Sequence, residues 1–132
     1  MVTLPFIGRV STAAWSDSTS NLSNSYTADS LSPPSSLAAT GKCSLILVGP
    51  IVSLTWNVTP STFATGYQIV RSATSGGPYT QVGTVSGRGT VAFTDDSVSR
   101  GTTYYYVVRA TYLSWLSPNS NQASATTPTL CL

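Results

Sequence analysis

Apolar and polar residues alternate along much of this chain. In the segment VSLTWNV, which covers residues 52–58, every second residue is apolar. This period of two is typical of a strand with one buried face and one exposed face. The face predicted to be buried consists of Val52, Leu54, Trp56 and Val58.

The segment GYQIVRS, residues 66–72, repeats the pattern. Its two predicted faces are Tyr67, Ile69 and Arg71 on one side, and Gln68, Val70 and Ser72 on the other. Further strands are predicted in YTQVGTVSG, TVAFTDD, TTYYYVVRATYL and NQASATTP, with Gly-rich turns between them. No segment has a helical period with capping residues. Short strands at this spacing predict an all-β fold, an antiparallel β-sandwich.

A short apolar segment precedes the predicted strands. It is too short to span a membrane, which takes about 20 apolar residues, and it lacks the features of an intact signal peptide. Pro33-Pro34 predicts a boundary between an extension of residues 1–32 and a domain of residues 33–132. We expect another surface to cover the apolar side chains of the extension: Leu4, Phe6, Ile7, Val10 and Trp15.

Composition points to a folded, weakly charged protein. Charged residues make up only 8% of the chain, compared with about 25% in typical globular proteins. The aromatic share of 10% argues against disorder, and Ser and Thr supply about a third of the residues. Low charge favours close packing between molecules, because little repulsion keeps them apart. The net charge of +2 comes from six scattered basic residues, so no nucleic-acid-binding surface is predicted.

The chain offers few groups for catalysis. It contains no His, and its four acidic residues are all Asp, which excludes Ser-His-Asp triads and most general-base designs. Asp95 and Asp96 are neighbours on a strand and point to opposite faces, so we expect them to bond local backbone in a turn. We therefore predict no enzymatic activity, no cofactor and no metal site. Asn21 and Asn57 each begin a glycosylation triplet, a weak pattern in so hydroxyl-rich a chain.

The segment SVSRGTTYYYVVRAT, residues 97–111, resembles the turn and following strand of a fibronectin type III domain. The matching positions are Val98, Gly101, Tyr104, Tyr106, Val108 and Ala110. The resemblance covers about residues 33–128 and implies an immunoglobulin-like sandwich in which the Tyr104 hydroxyl bonds the backbone just upstream. It implies a core that includes Trp56, Tyr67, Tyr104, Tyr106 and Val108, with Tyr105, Val107 and Arg109 pointing outward.

The chain has two cysteines, Cys43 and Cys131. Two cysteines without histidine favour a disulfide over a zinc site. In the topology that the resemblance implies, the first and last strands end at the same pole, and the cysteines lie just beyond them. A Cys43–Cys131 disulfide is therefore expected. The apolar segment SLILVGPIV, residues 44–52, departs from the family pattern, and it either continues the second strand or forms a lip at the pole.

The segment TAAWSDSTSNLSNSYTADSLSPP resembles the start of secreted proteins of the camelysin/TasA type. The match covers about residues 12–33 and rests on Trp15, Asp17, Asn24, Tyr26, Ala28 and Leu31. The resemblance implies export, and some relatives form extracellular fibres.

These observations favour a structural subunit of an extracellular filament or surface matrix, of bacterial or archaeal type. It would donate its N-terminal strand to a neighbouring copy, with cell-surface glycan or other matrix proteins as further partners. The alternative is a monomeric secreted module that binds a glycan or protein through an exposed aromatic strip of Tyr105, Tyr112 and Trp115. A third interpretation makes residues 1–14 the remnant of a signal peptide, cleaved near the small residues STAA.

Overall fold

The computed structural model describes residues 30–46 and 48–132. The apolar side chains proposed as a donor strand, Leu4 to Trp15, lie outside the described residues, as does most of the segment that resembles camelysin-type proteins. The described part consists of strands and connecting turns without a helix. The strands are β1 (Ser35–Cys43), β2 (Pro50–Asn57), β3 (Gly66–Ser72), β4 (Thr80–Ser86), β5 (Ala92–Asp95), β6 (Thr103–Tyr112), β7 (Trp115–Leu116) and β8 (Ala123–Thr126).

Two sheets pack face to face. The first has the order β1-β2-β5, and the second has the order β4-β3-β6-β7, with β8 also paired to β6. Each pairing in the described part is antiparallel. The predicted all-β antiparallel sandwich is thus confirmed. Strands β4 and β5 are free sheet edges, whereas β1 packs against β8 of the other sheet.

The core lies between the two sheets and is built from the inward residues of each strand. Trp56 of β2 meets Tyr67 of β3 edge to face, with ring centroids 5.3 Å apart. The five side chains predicted for the core all lie there, none more than 8% exposed: Trp56, Tyr67, Tyr104, Tyr106 and Val108.

Strands β7 and β8 are two parts of one irregular strand that follows β6. Between them, the N–H groups of Ser117 and Ser120 donate to the carbonyls of Ala110 and Val108, each at 2.9 Å. The hydroxyls of the same two serines accept the N–H groups of Ala110 and Val108 at 2.8 Å and 2.9 Å. Because Pro118 cannot donate to a ladder, these serine hydroxyls maintain the contact with β6.

The outer face of the second sheet is more buried than the alternation predicts. Val70 and Val107 belong to the faces predicted to be exposed, yet they are only 3% and 2% exposed. They are cross-strand partners in β3 and β6, which both have neighbouring strands on either side. Small side chains at such a position are shielded by the rows around them. Conversely, Val58 is 41% exposed because β2 ends at Asn57.

The folded domain begins earlier than the predicted boundary at Pro33. Leu31, which the sequence assigns to the extension, is 6% exposed and belongs to the core cluster. The N–H of Ser32 donates to Ser61 Oγ at 2.8 Å, and Thr59 Oγ1 donates to the Ser32 carbonyl at 2.5 Å. These contacts join the residues before β1 to the loop between β2 and β3.

The sandwich has two ends, which we call the cysteine pole and the tryptophan pole. The cysteine pole holds the β1–β2 loop, the β5–β6 loop and Cys131. The tryptophan pole holds the β2–β3 loop, the β4–β5 loop and the β6–β7 hairpin with Trp115. Ser30 contacts Ser61 at the tryptophan pole. The described chain therefore runs from the tryptophan pole to the cysteine pole.

Candidate functional site at the two poles

In residues 30–46 and 48–132, large apolar side chains that are exposed lie only at the two poles. Of these side chains only Trp115 and Leu116 belong to a strand, the short β7. The cysteine pole carries Leu45, Ile46, Val48, Leu130 and Leu132, and the tryptophan pole carries Val58, Leu113, Trp115 and Leu116. Clustered exposed apolar side chains mark interaction surfaces in folded proteins, whereas single ones need no explanation. The poles are therefore the candidate functional surfaces.

The described residues of the β1–β2 loop, 44–46 and 48–49, form a lip at the cysteine pole. Both interpretations of the apolar segment hold in part, since β2 begins at Pro50 and the residues before it form the loop. Leu45 and Ile46 are 97% and 89% exposed. Val48 has a φ of 50°, a conformation that β-branched residues rarely adopt. The loop thus holds apolar side chains in solvent at positions that polar residues or Gly would suit better.

The disulfide expected between Cys43 and Cys131 is present, with the two Cα atoms 5.5 Å apart. Cys43 ends β1 directly before the lip, and Cys131 lies between two exposed leucines. The bond therefore brings side chains from both ends of the domain to one place. We call this set the apolar cap: Leu45, Ile46, Val48, Leu130 and Leu132.

An ion pair closes the sandwich beneath the cysteine pole. Arg71 Nη1 lies 2.8 Å from Asp95 Oδ2, and Asp95 is only 2% exposed. Asp95 also accepts the Tyr106 hydroxyl at 2.8 Å and the N–H of Ser97 at 3.0 Å. Burial opposes ionisation of Asp95, but the hydrogen bonds from Ser97, Tyr106 and Arg71 outweigh it and lower its pKa. Burial and the bond to Asp95 raise the pKa of Tyr106, so its hydroxyl stays a donor.

This ion pair is more than the local turn predicted for Asp95. The carboxylate does bond Ser97, two residues along the chain, but its ion-pair partner Arg71 lies in the other sheet. The sequence already indicated that Arg71 needs a partner, because the alternation of residues 66–72 places Arg71 on the same face as Tyr67 and Ile69. A cation on a buried face requires an acidic partner.

Tyr104 forms the tyrosine corner that the resemblance implies. Its hydroxyl accepts the N–H of Ser99, five residues upstream, at 2.9 Å. The Arg71 guanidinium lies over its ring, 4.8 Å from the centroid. The corner and the ion pair therefore share one cation, which links the β5–β6 loop to both sheets.

The β6–β7 hairpin projects from the tryptophan pole. Tyr112 pairs with Trp115 across a two-residue turn, in which Leu113 has a φ of 55° and is 80% exposed. Turns of this kind favour Asn or Gly, which adopt positive φ at little cost. Trp115 and Leu116 are 56% and 47% exposed. We call residues 112–116 the tryptophan hairpin.

Hydrogen bonds of one arginine hold the tryptophan pole together. Arg88, in the β4–β5 loop, donates to the carbonyls of Thr59 and Ser61 in the β2–β3 loop at 2.7 Å and 3.0 Å. The Tyr67 hydroxyl donates to the Arg88 carbonyl at 2.7 Å and accepts the N–H of Thr59 at 3.0 Å. The sequence predicts a turn at Gly87-Arg88-Gly89 but gives no sign of this clamp, because its acceptors are backbone carbonyls.

The predicted aromatic strip does not exist. Tyr105 and Tyr112 are seven residues apart on the regular strand β6, so they point to opposite faces of the sheet. Tyr112 packs edge to face on Phe63, with centroids 5.3 Å apart, against the core. Of the three predicted residues only Trp115 is largely exposed. An odd separation along a strand excludes a shared surface.

The described residues bring no group of three or more His, Cys, Asp or Glu side chains together in a way that would hold a metal ion. An open cleft of about 310 Å³ lies where the described chain enters, and its lining has no ionisable side chain: Ser30, Ser32, Pro60, Ser61, Thr62 and Phe63. In the part of the chain that the structure describes, no helix has the length and apolar character needed to cross a membrane.

Comparisons with solved structures find related sandwiches. An Fn3-like protein from Clostridium thermocellum is 34% identical, with a TM-score of 0.61, over 77% of this chain and 98% of that one. A β-1,2-glucanase from Parabacteroides distasonis is 26% identical, with a TM-score of 0.61, over 75% of this chain but only 13% of that one. A fibronectin type III domain derived from human KIAA0970 protein shares the fold, with a TM-score of 0.62 and 22% identity over 86% of this chain and 88% of that one.

No protein-family model and no curated protein matches the chain. The Clostridium relative nevertheless aligns over almost its whole length at substantial identity. The sandwich topology, the tyrosine corner at Tyr104 and the buried Trp56 are features that the resemblance to fibronectin type III domains implies. The chain therefore belongs to the fibronectin type III-like family.

Proposed function

We propose that this protein is a non-enzymatic structural subunit of an extracellular filament or surface matrix. Copies are joined end to end, and the N-terminal apolar segment of each copy is donated to its neighbour. One observation carries the proposal: in the described residues, the exposed large apolar side chains lie at the two poles of the sandwich. The described chain itself runs from the tryptophan pole to the cysteine pole. Surfaces at opposite ends of one axis favour an open chain of copies.

Two further properties support assembly. With 8% charged residues, the molecule has little electrostatic repulsion between copies. The edge strand β4, TQVGTVS, contains no charged residue and no proline, and one β-bulge, at Val82, interrupts its pairing with β3. Such an edge is a suitable acceptor for a donated strand. The disulfide is typical of proteins from oxidising compartments, which supports an extracellular location.

The donated segment provides the largest share of the binding energy. Each fully buried apolar side chain contributes about 1.5–3 kcal/mol, so Leu4, Phe6, Ile7, Val10 and Trp15 together contribute about 10 kcal/mol before ordering costs. The resemblance of residues 12–33 to camelysin/TasA-type proteins, some of which form fibres, agrees with this role. These residues lie outside the described part, so the donation itself is the proposal.

Deletion of residues 1–15 tests the donation. We expect the full chain to polymerise with rising concentration, and the deletion variant to stay monomeric in sedimentation velocity and negative-stain microscopy. A matched control keeps the length and replaces Leu4, Phe6, Ile7 and Val10 by Ser, and it should also stay monomeric. Polymerisation of the deletion variant at the concentration of the full chain would contradict the donation.

Exposed Trp115 supports a second candidate, a secreted module that binds glycan or protein. Trp115 is 56% exposed, and the 26% identical relative is a β-1,2-glucanase, of which this chain covers 13%. Retention on insoluble polysaccharide that is lost on Trp115→Ala, in a protein that stays monomeric, would favour this candidate over assembly. Tyr105→Ala is the matched control, because Tyr105 lies on the opposite face.

A further inference from the structure

We infer that the outer face of the second sheet binds a glycan that carries carboxylate groups, a polyuronate. The surface is a row of four polar side chains that we call the donor row: Gln81, Gln68, Arg109 and Asn119. The inference goes beyond the proposed assembly, because it concerns the face of a sheet and not the poles. In this interaction the Arg109 guanidinium contacts the carboxylate.

Hydrogen bonds connect the donor row from the edge strand β4 to the segment that follows β7. Arg109 Nε donates to Asn119 Oδ1 at 2.8 Å, and Arg109 Nη1 donates to Gln68 Oε1 at 3.2 Å. Gln68 Nε2 donates in turn to Gln81 Oε1 at 2.9 Å. An arginine side chain can only donate, so the two amides beside it must turn their oxygens toward it. Arg109 therefore sets the direction of every bond in the row.

The groups that the donor row leaves for a ligand are chiefly N–H donors. Each amide oxygen of the row already accepts a bond from its neighbour. Within residues 30–46 and 48–132, no protein group accepts a hydrogen bond from Gln81 Nε2, Asn119 Nδ2 or Arg109 Nη2. Such a surface fits a ligand rich in acceptors, and a carboxylate accepts without donating. The row crosses β4, β3 and β6, which lie about 4.8 Å apart, so it is long enough to meet more than one residue of a sugar chain.

Arg109 is a half-buried cation without an ionic partner among the described residues. The ion pair found there is that of Arg71 with Asp95. The acidic side chains of the described part, Asp95 and Asp96, lie at the end of β5 in the other sheet. Arg109 is held instead by two neutral amide oxygens, which fix its plane and leave its charge uncompensated. An anion therefore gains a charge-assisted hydrogen bond from Arg109 without displacing an internal carboxylate.

A β-bulge places Gln81 in the donor row. Gln81 and Gly83 are two residues apart in β4, and regular alternation would turn both of them to the same face. Gly83 lies opposite the buried Ile69. The register shifts between Ile69 and Val70, where β4 contains the extra residue Val82. The extra residue turns Gln81 to the outer face, and bulges that redirect a side chain are common beside functional sites.

Tyr79 adds an aromatic ring beside the donor row. It precedes β4, and its hydroxyl donates to Oε1 of Gln122, which precedes β8. Since β3 and β6 lie between β4 and β8 in the sheet, this bond holds the Tyr79 side chain across the outer face. A sugar ring has an apolar C–H face that packs on an aromatic ring, whereas an acidic peptide carries its carboxylates on flexible stems. The aromatic ring and the donor row together favour a uronate.

Binding of the full chain to immobilised polygalacturonate, measured by biolayer interferometry, tests the inference. The protein is used at a concentration where sedimentation velocity shows monomers. Polygalacturonate whose carboxylates are methyl esters is the matched neutral surface. We expect binding to polygalacturonate that weakens with added sodium chloride, and about tenfold weaker binding to the ester.

Four variants assign the binding to the donor row. Arg109→Gln removes the charge and should weaken binding about tenfold or more. Gln68→Glu gives Arg109 an internal carboxylate and should weaken binding as strongly, and Gln81→Glu, at an exposed edge position, repeats this test without altering a contact of Arg109. Arg100→Gln removes the same charge at an exposed position of the cysteine pole, so it is the matched control and should bind like the parent. Urea midpoints and circular dichroism verify the fold of each variant.

Other results would overturn the inference. Equal losses in Arg109→Gln and Arg100→Gln would show that net charge alone attracts the polymer. Equal binding to the methyl ester would indicate a neutral glycan, and equally tight binding to polyglutamate would indicate an acidic peptide. Loss of binding in Trp115→Ala but not in Arg109→Gln would place the site on the tryptophan hairpin. Absence of binding by the parent overturns the inference as well, and since monomers are measured, it leaves the proposed filament to the deletion of residues 1–15.

Discussion

The two poles present similar apolar surfaces but are held in place by different interactions. The cysteine pole depends on a covalent bond and on the buried ion pair of Arg71 with Asp95. The tryptophan pole depends on hydrogen bonds from Arg88 and Tyr67 to backbone groups of the neighbouring loop. Exposed apolar side chains give a loop no reason to keep one conformation, so each pole needs an anchor beneath its surface. The anchors, and not the surfaces, set the stability of each end.

The strongest test of this difference is removal of the disulfide. Cys43→Ser with Cys131→Ser opens a loop with a sequence separation of 88, and we expect a loss of about 4 kcal/mol in the free energy of unfolding. Urea unfolding measures it, and the parent protein in reductant should show the same loss. Amide exchange should rise in the lip and stay unchanged in the tryptophan hairpin. A loss below about 1 kcal/mol would show that the ion pair alone holds the cysteine pole.

The ion pair gives the next largest effect. Arg71→Met leaves the Asp95 carboxylate buried without its cation, and we expect a loss of about 3 kcal/mol in urea unfolding. The double variant Arg71→Met with Asp95→Asn removes the unpaired charge, so it should be more stable than Arg71→Met alone. Equal stability of these two variants would mean that Tyr106 and Ser97 suffice to solvate the carboxylate.

The same pair makes the cysteine pole sensitive to acid. The pKa of Asp95 in the folded state lies below its ordinary value of 3.8, so folding favours the ionised form. Its contribution is complete above the unfolded pKa and is lost as the pH falls through the folded pKa. Urea unfolding between about pH 6 and about pH 2 should therefore show a steeper loss in the parent than in Asp95→Asn. Parallel curves would contradict the assignment.

The anchor of the tryptophan pole is weaker. Arg88→Met removes two charged hydrogen bonds to the carbonyls of Thr59 and Ser61, with an expected loss of about 2 kcal/mol. Arg100→Met, at an exposed position, is the matched control and should change stability by less than about 0.5 kcal/mol. Thermal unfolding followed by tyrosine and tryptophan fluorescence measures both. An equal effect of the two variants would show that the clamp contributes nothing.

The smallest expected effects concern the strained residues at the two surfaces. Leu113→Gly and Val48→Gly remove a positive-φ cost of about 1 kcal/mol and add about 0.5 kcal/mol of backbone entropy. We expect each variant to gain about 0.5 kcal/mol in stability while its assembly weakens. Denaturant midpoints and sedimentation measure the two properties on the same samples. A variant that is both less stable and fully competent in assembly would contradict a functional role for the strain.

Much of the fold could be predicted because strand alternation is local information. Successive side chains of a strand point to opposite faces of its sheet. Trp56, Tyr67 and Tyr106 were therefore identifiable as core residues without knowledge of their partners. The same rule, applied to Tyr105 and Tyr112, excludes the aromatic strip. The alternation did not predict the burial of Val70. Burial on the outer face of a sheet depends on the neighbouring strands, and the sequence of one strand does not specify them.

The candidate site could be predicted only in part. The apolar lip and the cysteine pair were visible in the sequence, and so was the apolar extension. The position of Leu45 and Leu132 at one pole, and of Leu113 and Val58 at the other, was not, because the paths of the strands decide at which end each of these residues lies. The hydrogen bonds of Arg88 could not be predicted, because their acceptors are backbone carbonyls, which every residue has.

By itself, then, the sequence determined the class of fold, the inward residues and the disulfide partners available, since all of these follow from residue type and local spacing. Only the tertiary structure decided that the exposed apolar side chains of the described residues gather at opposite ends. The physical reason is that side-chain direction is fixed within a strand, whereas the position of a loop depends on how all the strands pair and pack.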